Sequence, residues 1–398
     1  MTGPVPDPRR VAVDALVRVE RDGAYANIVL PTLLARSNLT ERDRAFATQL
    51  VYGTVRHQRS CDWFVSRYAL GDLDDTVRAA LRVGTFQLRF LGTPPHAAVS
   101  ATVEVVPRKA RGLVNAVLRK IAAADDAWPS DAVRLSYPDW VVTRLIDDLG
   151  EDQAVAALDS MNGAATTTER ADGYIQDPAS RWVADAVGAQ PGDLVLDLCA
   201  APGGKATALA GDGAIVVAAD QREKRAGLVA GNAVRVGLQP EQLSVVVADG
   251  TRPPFALDSF DRVLVDAPCS GLGSLRRRPD ARWRIDAAAP ERLAALQRSL
   301  LDAAAPLVRP GGTLTYSVCT LTKVETTGVA TAFAEGHPDW EPVAAPGAPW
   351  TVWGSGALLL PQAAETDGMA VFTWRRPPVE PSTTSTGTTS TATAEDLA

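Results

Sequence analysis

The chain is poor in the side chains that bind metals or form cross-links: 398 residues include only four cysteines, three histidines and three methionines. The cysteines (Cys61, Cys199, Cys269 and Cys319) are far apart and form no CxxC pair. That argues against a disulfide framework and against a zinc site, so reduced thiols and no bound metal are expected. No apolar run approaches the roughly 18 residues that a membrane span needs, and the first ten residues contain no apolar leader segment. A soluble, cytoplasmic protein without a membrane partner is the expectation. Two nucleotide signatures are missing too. Gly203-Gly204-Lys205 has Cys199 where the phosphate loop of ATPases needs glycine and Ala206 where it needs Ser or Thr, and no G-x-G-x-x-G occurs. ATP hydrolysis is disfavoured.

What is present is unevenly distributed. Residues 1–124 carry 18 Lys+Arg against 11 Asp+Glu, whereas the remainder carries 22 against 36. The N-terminal part is thus the stronger electrostatic footprint for a polyanion such as RNA. The chain is too long for one core and predicts two or three domains. Residues 9–124 read as all-helical: Leu113, Val114, Val117, Leu118 and Ile121 form an apolar stripe, and Thr40 with Asp43 makes a capping-box-like start ahead of Phe46, Leu50 and Val51. Helical periodicity continues through Trp140, Val141, Leu145 and Leu149, then stops in the linker-like stretch Asn162–Thr168. The segment 125–172 is read as a helical linker subdomain.

From residue 173 to 376 short apolar runs alternate with helical segments: Leu194–Leu198, Ala214–Ala219, Leu243–Val247, Arg262–Val265 and Thr313–Tyr316. This alternation predicts a doubly wound parallel sheet. Ala357–Leu360 and Met369–Trp374 predict a terminal antiparallel pair. From Pro377 to 398 the chain is rich in Ser, Thr and Pro and is expected to stay disordered.

The chemistry gathers at strand ends. Leu194–Leu198 runs into Cys199-Ala200-Ala201-Pro202-Gly203-Gly204-Lys205, whose glycines permit close backbone approach to a ligand at the carboxyl edge of a sheet. Asp220 and Asp249 close the next two runs, at positions suited to a ribose and an adenine edge, so an adenosyl-type cofactor is expected. Asp266-Ala-Pro-Cys269-Ser-Gly271 and Tyr316-Ser-Val-Cys319-Thr320 place two cysteines at the ends of separate strands, where a thiolate can attack an electrophile beside that cofactor. Cys61 reads as an inert core residue. The run Arg276–Arg284 places five arginines around Trp283, a composition suited to phosphates and a base platform.

These three motifs resemble the cofactor loop and the two cysteine motifs of the RsmB/Sun family of S-adenosylmethionine-dependent RNA cytosine-5 methyltransferases. Tyr25–Asn27, Asp43–Phe46, Leu50–Gly53 and Arg111–Arg119 resemble the NusB-like RNA-binding domain at the front of its rRNA-modifying branch, and Ser136–Trp140 also matches that branch. The resemblance implies an all-α NusB-like domain (1–124) followed by a Rossmann-like class I methyltransferase domain of α/β type (173–376). It implies S-adenosylmethionine on Cys199–Lys205, with Asp220 at the ribose, Asp249 at the adenine and Asp266 near both the methionine end and the target base. It also implies Cys319 as the nucleophile and Cys269 as the residue that assists product release. The expected partner is small-subunit (16S) rRNA and the expected state a monomer. Transfer to tRNA, or a non-catalytic RNA-binding role in ribosome assembly, are the alternatives. Two departures stand out: between Asn162 and Gln176 the family usually has a longer insertion, and Glu325 is followed by Thr326 where the family has asparagine.

Overall fold

The computed structural model describes residues 7–378, so all but the first two residues of the expected disordered tail lie outside the described part. The N-terminal helices are α1 (Pro8–Arg21), α2 (Ala26–Arg36), α3 (Glu41–Arg56), α4 (Gln58–Ser66), α5 (Asp75–Arg89), α6 (Pro95–Glu104) and α7 (Arg111–Ala122). Their starts are written in side chains. Asp7 and Asp74 cap α1 and α5, and Thr40 Oγ1 accepts from the Asp43 N–H at 3.2 Å, the arrangement expected for α3. Their apolar faces close on one core that includes Leu50, Phe64, Leu81, Leu118 and the inert Cys61. In α7 the seam is narrower than expected. Val114, Val117, Leu118 and Ile121 are buried, falling at i, i+3, i+4 and i+7, but Leu113 lies to one side of that face and is 45% exposed.

Three helices follow, α8 (Asp131–Arg134), α9 (Asp139–Leu149) and α10 (Glu151–Ser160). Leu135, Tyr137, Val141, Leu145 and Met161 from this stretch share one core with sheet residues Leu196, Val263 and Tyr316. It therefore packs on the α/β body.

The strands are β1 (Leu194–Asp197), β2 (Ile215–Asp220), β3 (Leu243–Val247), β4 (Phe260–Asp266), β5 (Val308–Val318), β6 (Glu341–Pro342), β7 (Thr351–Trp353), β8 (Gly356–Leu359) and β9 (Met369–Arg375). The helices between and beside them are α11 (Pro178–Ala186), α12 (Gly204–Gly211), α13 (Glu223–Arg235), α14 (Ala289–Ala304), α15 (Thr327–Gly336) and α16 (Pro361–Ala364). The sheet order is β3-β2-β1-β4-β5-β9-β8-β7, with β6 also on β9. The first five strands are parallel and the rest antiparallel. Because β1 pairs with β2 on one side and β4 on the other, the winding reverses there. The crevice beyond their carboxyl ends is where such sheets bind ligands.

Two details depart from the sequence reading. β5 begins at Val308, well before Thr313, because Pro310-Gly311-Gly312, which reads as a break, lies within the strand opposite a register shift between Phe260 and Arg262 of β4. The antiparallel pair β8–β9 is joined by β6 and β7, of two and three residues, too short to show periodicity.

Candidate active site

The loop after β1 is fastened from both sides. Ala200 N–H donates to Ala219 of β2 at 2.9 Å, while Arg225 and Asn232 of α13 donate to the carbonyls of Ala201 and Pro202 at 2.7 and 2.8 Å. Gly203 adopts φ +107°, and a Cβ there would sit 3.2 Å from Val229, so the turn can lie flat on α13 only as glycine. Below the loop, Asp197 is 1% exposed and neither carboxylate oxygen has a partner. Burial, and then the nearby Asp266, push its pKa up to about 7. An orphan carboxylate is costly to bury and suits a ligand carrying positive charge. Asp197 was not among the expected site residues. Its signal is an acid closing an otherwise apolar strand.

The same edge continues across the sheet. Asp220 accepts from the Arg222 N–H at 3.0 Å and pairs with Arg225 at 3.2 Å. Asp249, exposed beyond β3, accepts from the N–H and hydroxyl of Thr251 at 2.9 and 2.8 Å. A carboxylate for a cation, a glycine turn open to backbone contact and two further acids at successive strand ends together fit an adenosyl sulfonium cofactor. Burial and then Asp197 push the Cys199 thiol pKa up, which disfavours a thiolate there.

On the other side of the switch point, β4 and β5 are in register with Asp266 opposite Ser317. The chain leaving each strand brings Cys269 Sγ to 3.3 Å from Cys319 Sγ. The two thiols are pushed apart in acidity. Cys269 is held well above the ordinary cysteine range by its bond to Cys319 and by burial. Cys319 is held below it, chiefly by the hydrogen bond from Cys269, with burial and Asp266 opposing and the Ser274 hydroxyl and Lys205 assisting. Of the two, Cys319 is the more acidic thiol and Cys269 the one that holds its proton more tightly. Lys205, expected on the cofactor loop, places its ammonium 2.6 Å from Asp266 Oδ2. Burial opposes that charge, but Asp266 outweighs it and raises the lysine pKa. Asp266, Lys205, Cys269 and Cys319 thus form one cluster, and Asp220 and Asp249 lie along the sheet edge from it.

The arginine run is a correction. Its composition suggested an RNA platform, yet four of its five cations and Trp283 are spent on the protein itself. Arg282, fully buried, donates to the carbonyls of Arg56 and Ser136 at 3.1 Å each and to Asn162 Oδ1 at 2.9 Å, and stacks 3.9 Å from the Tyr137 ring. Trp283 donates to the Val55 carbonyl at 3.0 Å, Arg284 to those of Gly23 and Ala24, and Arg276 to those of Ala164 and Glu365. Arg277 pairs with Asp177 and Asp367 at 2.5 and 3.2 Å. The segment bolts the helical domain to the α/β domain; Arg278 and Arg284 are its exposed cations, and of these Arg284 is bonded to the helical domain.

Comparison with known proteins agrees with this architecture. Residues 184–373 match the family model described as 16S rRNA methyltransferase RsmB/F, and residues 6–123 match the NusB family. The ribosomal RNA small subunit methyltransferase B of Thermus thermophilus is 38% identical, covering 84% of this chain and 89% of that protein. The probable ribosomal RNA small subunit methyltransferase B of Bacillus subtilis is 30% identical over 84% and 89%. In fold, the chain is similar to the crystal structure of PH0851, with a TM-score of 0.74 at 21% identity, covering 94% of this chain and 100% of that one. With a NusB domain ahead of a methyltransferase sheet, and relatives of this identity and coverage, the chain belongs to the RsmB/F family of small-subunit ribosomal RNA methyltransferases.

Proposed function

We propose that the protein transfers a methyl group from S-adenosylmethionine to C5 of a cytosine in small-subunit rRNA, through a covalent bond between Cys319 and C6 of the base. The observation that carries this reading is the thiol pair: two sulfurs 3.3 Å apart, shifted in opposite directions with Cys319 the more acidic, beside a lysine–aspartate ion pair. When bound, S-adenosylmethionine supplies an electrophilic methyl on a positively charged sulfur. Asp197, the backbone of Cys199–Gly204, Asp220 and Asp249 would hold it.

Cytosine C5 is a weak nucleophile, and the residues here supply what it lacks. Addition of the Cys319 sulfur to C6 shifts electron density toward C5 and N3. The Lys205–Asp266 pair can share a proton with N3 as charge develops there. Cys269, beside the sulfur that has to leave, assists loss of the C5 proton and departure of Cys319. The target base has to leave its stack first, at a cost of a few kcal/mol that an RNA loop reduces. The excess of basic over acidic residues in residues 1–124 supports RNA as the partner.

The test is transfer of labelled methyl from S-adenosylmethionine to unmodified small-subunit rRNA, with a tRNA pool in parallel, followed by nucleoside analysis. 5-Methylcytidine in the rRNA alone is the expected result. Label in another nucleoside, or in tRNA only, would overturn the reading.

A further inference from the structure

One buried carboxylate has no place in the steps above. Glu325 lies in the turn between Cys319 and α15, is 0% exposed and is bonded to no cation. Five donors converge on it: the Ser270 N–H at 2.8 Å, the Ser270 hydroxyl at 2.5 Å, the Thr320 and Thr322 hydroxyls at 3.1 and 3.0 Å, and Gln297 Nε2 at 3.2 Å. Ser270 follows Cys269 in the chain, and Thr320 follows Cys319. Their hydroxyls also meet each other at 2.8 Å. Gln297 of α14 extends the lattice, donating to the Pro268 carbonyl at 2.9 Å and accepting from the Tyr316 hydroxyl at 2.9 Å. Tyr316 in turn donates to the Glu325 carbonyl at 2.6 Å.

Burying an acid this deeply is tolerated only because its oxygens are saturated. The arrangement gives one rigid group a direct hold on the residue after each cysteine. We propose that Glu325 is the positioning residue that keeps the Cys269 and Cys319 sulfurs within proton-sharing distance, an inference that rests on the reaction proposed above.

Chemistry explains why a carboxylate is required. It offers two acceptor oxygens and no donor, matching a backbone N–H and three hydroxyls that arrive from two loops. Glutamine has the same shape but turns one oxygen into an NH2, which faces donors instead of accepting from them. Glu325→Gln should therefore fold while releasing one loop from the other.

Proximity of the sulfurs can be measured without any methyl transfer. Diamide joins two neighbouring thiols: the thiols give up two protons and two electrons to form the S–S bond, and the N=N bond of diamide takes up both to become a hydrazine. The rate of Cys269–Cys319 cross-linking, read by mass spectrometry of the joined peptides, is the first readout. The second is the split between S-adenosylmethionine binding and turnover. In Glu325→Gln, cross-linking should slow, cofactor affinity should stay at the wild-type value, and kcat should fall on the order of 10²-fold, the typical cost of a misplacement of about 1 Å. Covalent protein–RNA adduct should build up as release becomes slower. Ser270→Ala, which deletes one hydroxyl donor and keeps the N–H bond, should shift the cross-linking rate in the same direction by less, and it decides the matter if Glu325→Gln does not fold. Wild-type cross-linking rates in the folded variants would overturn the proposal. If the wild-type enzyme itself makes no 5-methylcytidine, the proposed reaction fails, while the cross-linking rates still report on what Glu325 holds.

Discussion

Two groups of charged side chains flank the loop that carries Cys269, and they are built in opposite ways. At the domain junction, Arg276, Arg282 and Arg284 are anchored to main-chain carbonyls from both domains, and Arg282 is further held by the Tyr137 ring. At the cleft, the buried Asp197 carboxyl pairs with no side chain, and the Cys319 thiol is made more acidic by a thiol, a hydroxyl and a more distant ammonium. The junction directs its cations at the protein's own carbonyls, even though Arg276 Nε and Arg282 Nε and Nη2 remain without partners. The cleft has kept hydrogen-bonding capacity for a ligand. Charge in a sequence therefore says little about function until its partners are known, and an acid without a side-chain partner at a strand end says more than five arginines within nine residues.

Breaking the cleft should have the largest effect. Cys319→Ala should lower methyl transfer by on the order of 10⁴-fold or more, as loss of a nucleophile does, with S-adenosylmethionine binding unchanged by calorimetry. Retained turnover would remove Cys319 from its role. Cys269→Ala should instead trap a protein–RNA adduct that survives denaturing electrophoresis, and a slowed variant with no adduct would count against assisted release. Breaking the junction should cost stability rather than chemistry. Arg282→Ala leaves the carbonyls of Arg56 and Ser136 without their donor. The expected loss is roughly 3 kcal/mol, given about 1–3 kcal/mol for each buried group left unpaired. Urea unfolding would show it, with cofactor affinity retained. The smallest effect belongs to Arg278, an exposed member of the run with no part in the junction contacts above. Arg278→Ala should weaken RNA binding mildly and reduce the slope of log affinity against log salt by about 1 if it meets a phosphate.

The parts of this molecule that were legible in its sequence are those where local pattern and global position coincide. Asp266 and Cys269 directly follow an apolar run, so the strand and its functional end are read together, and the same holds for Asp220 after β2. The capping of α3 by Thr40 was equally local. Glu325 stood out only as half of a family pair, and its contacts were not legible because they depend on Ser270, 55 positions earlier in the chain, arriving at the same point. The role of Arg276–Arg284 was hidden for the same reason. Its acceptors are scattered from the turn after α1 and the end of α3 to Ser136, Asn162, Ala164, Asp177, Glu365 and Asp367, and no spacing within the run announces them. The Ser136–Trp140 motif likewise acquires its reason only at the junction, where the Ser136 hydroxyl accepts from the Arg59 N–H at 3.0 Å and Tyr137 lies under Arg282. The segment expected to be a shortened insertion is also fixed in place. Arg170 within it donates to the Gly204 carbonyl at 2.8 Å, and Glu169 bridges to Ile175 beside the cofactor loop.

The central claim is that Cys319 is the more acidic of the two thiols and Cys269 the less, and thiol alkylation across pH tests it most directly. Each cysteine would be followed separately by mass spectrometry after brief exposure to iodoacetamide, since only the thiolate reacts. Because its pKa is lowered, Cys319 should already react at pH values below the ordinary cysteine pKa of about 8.5, with reactivity rising as pH rises through its own pKa, while Cys269 stays unreacted until well above that range. Equal reactivity of the two, or earlier reaction at Cys269, would contradict the account.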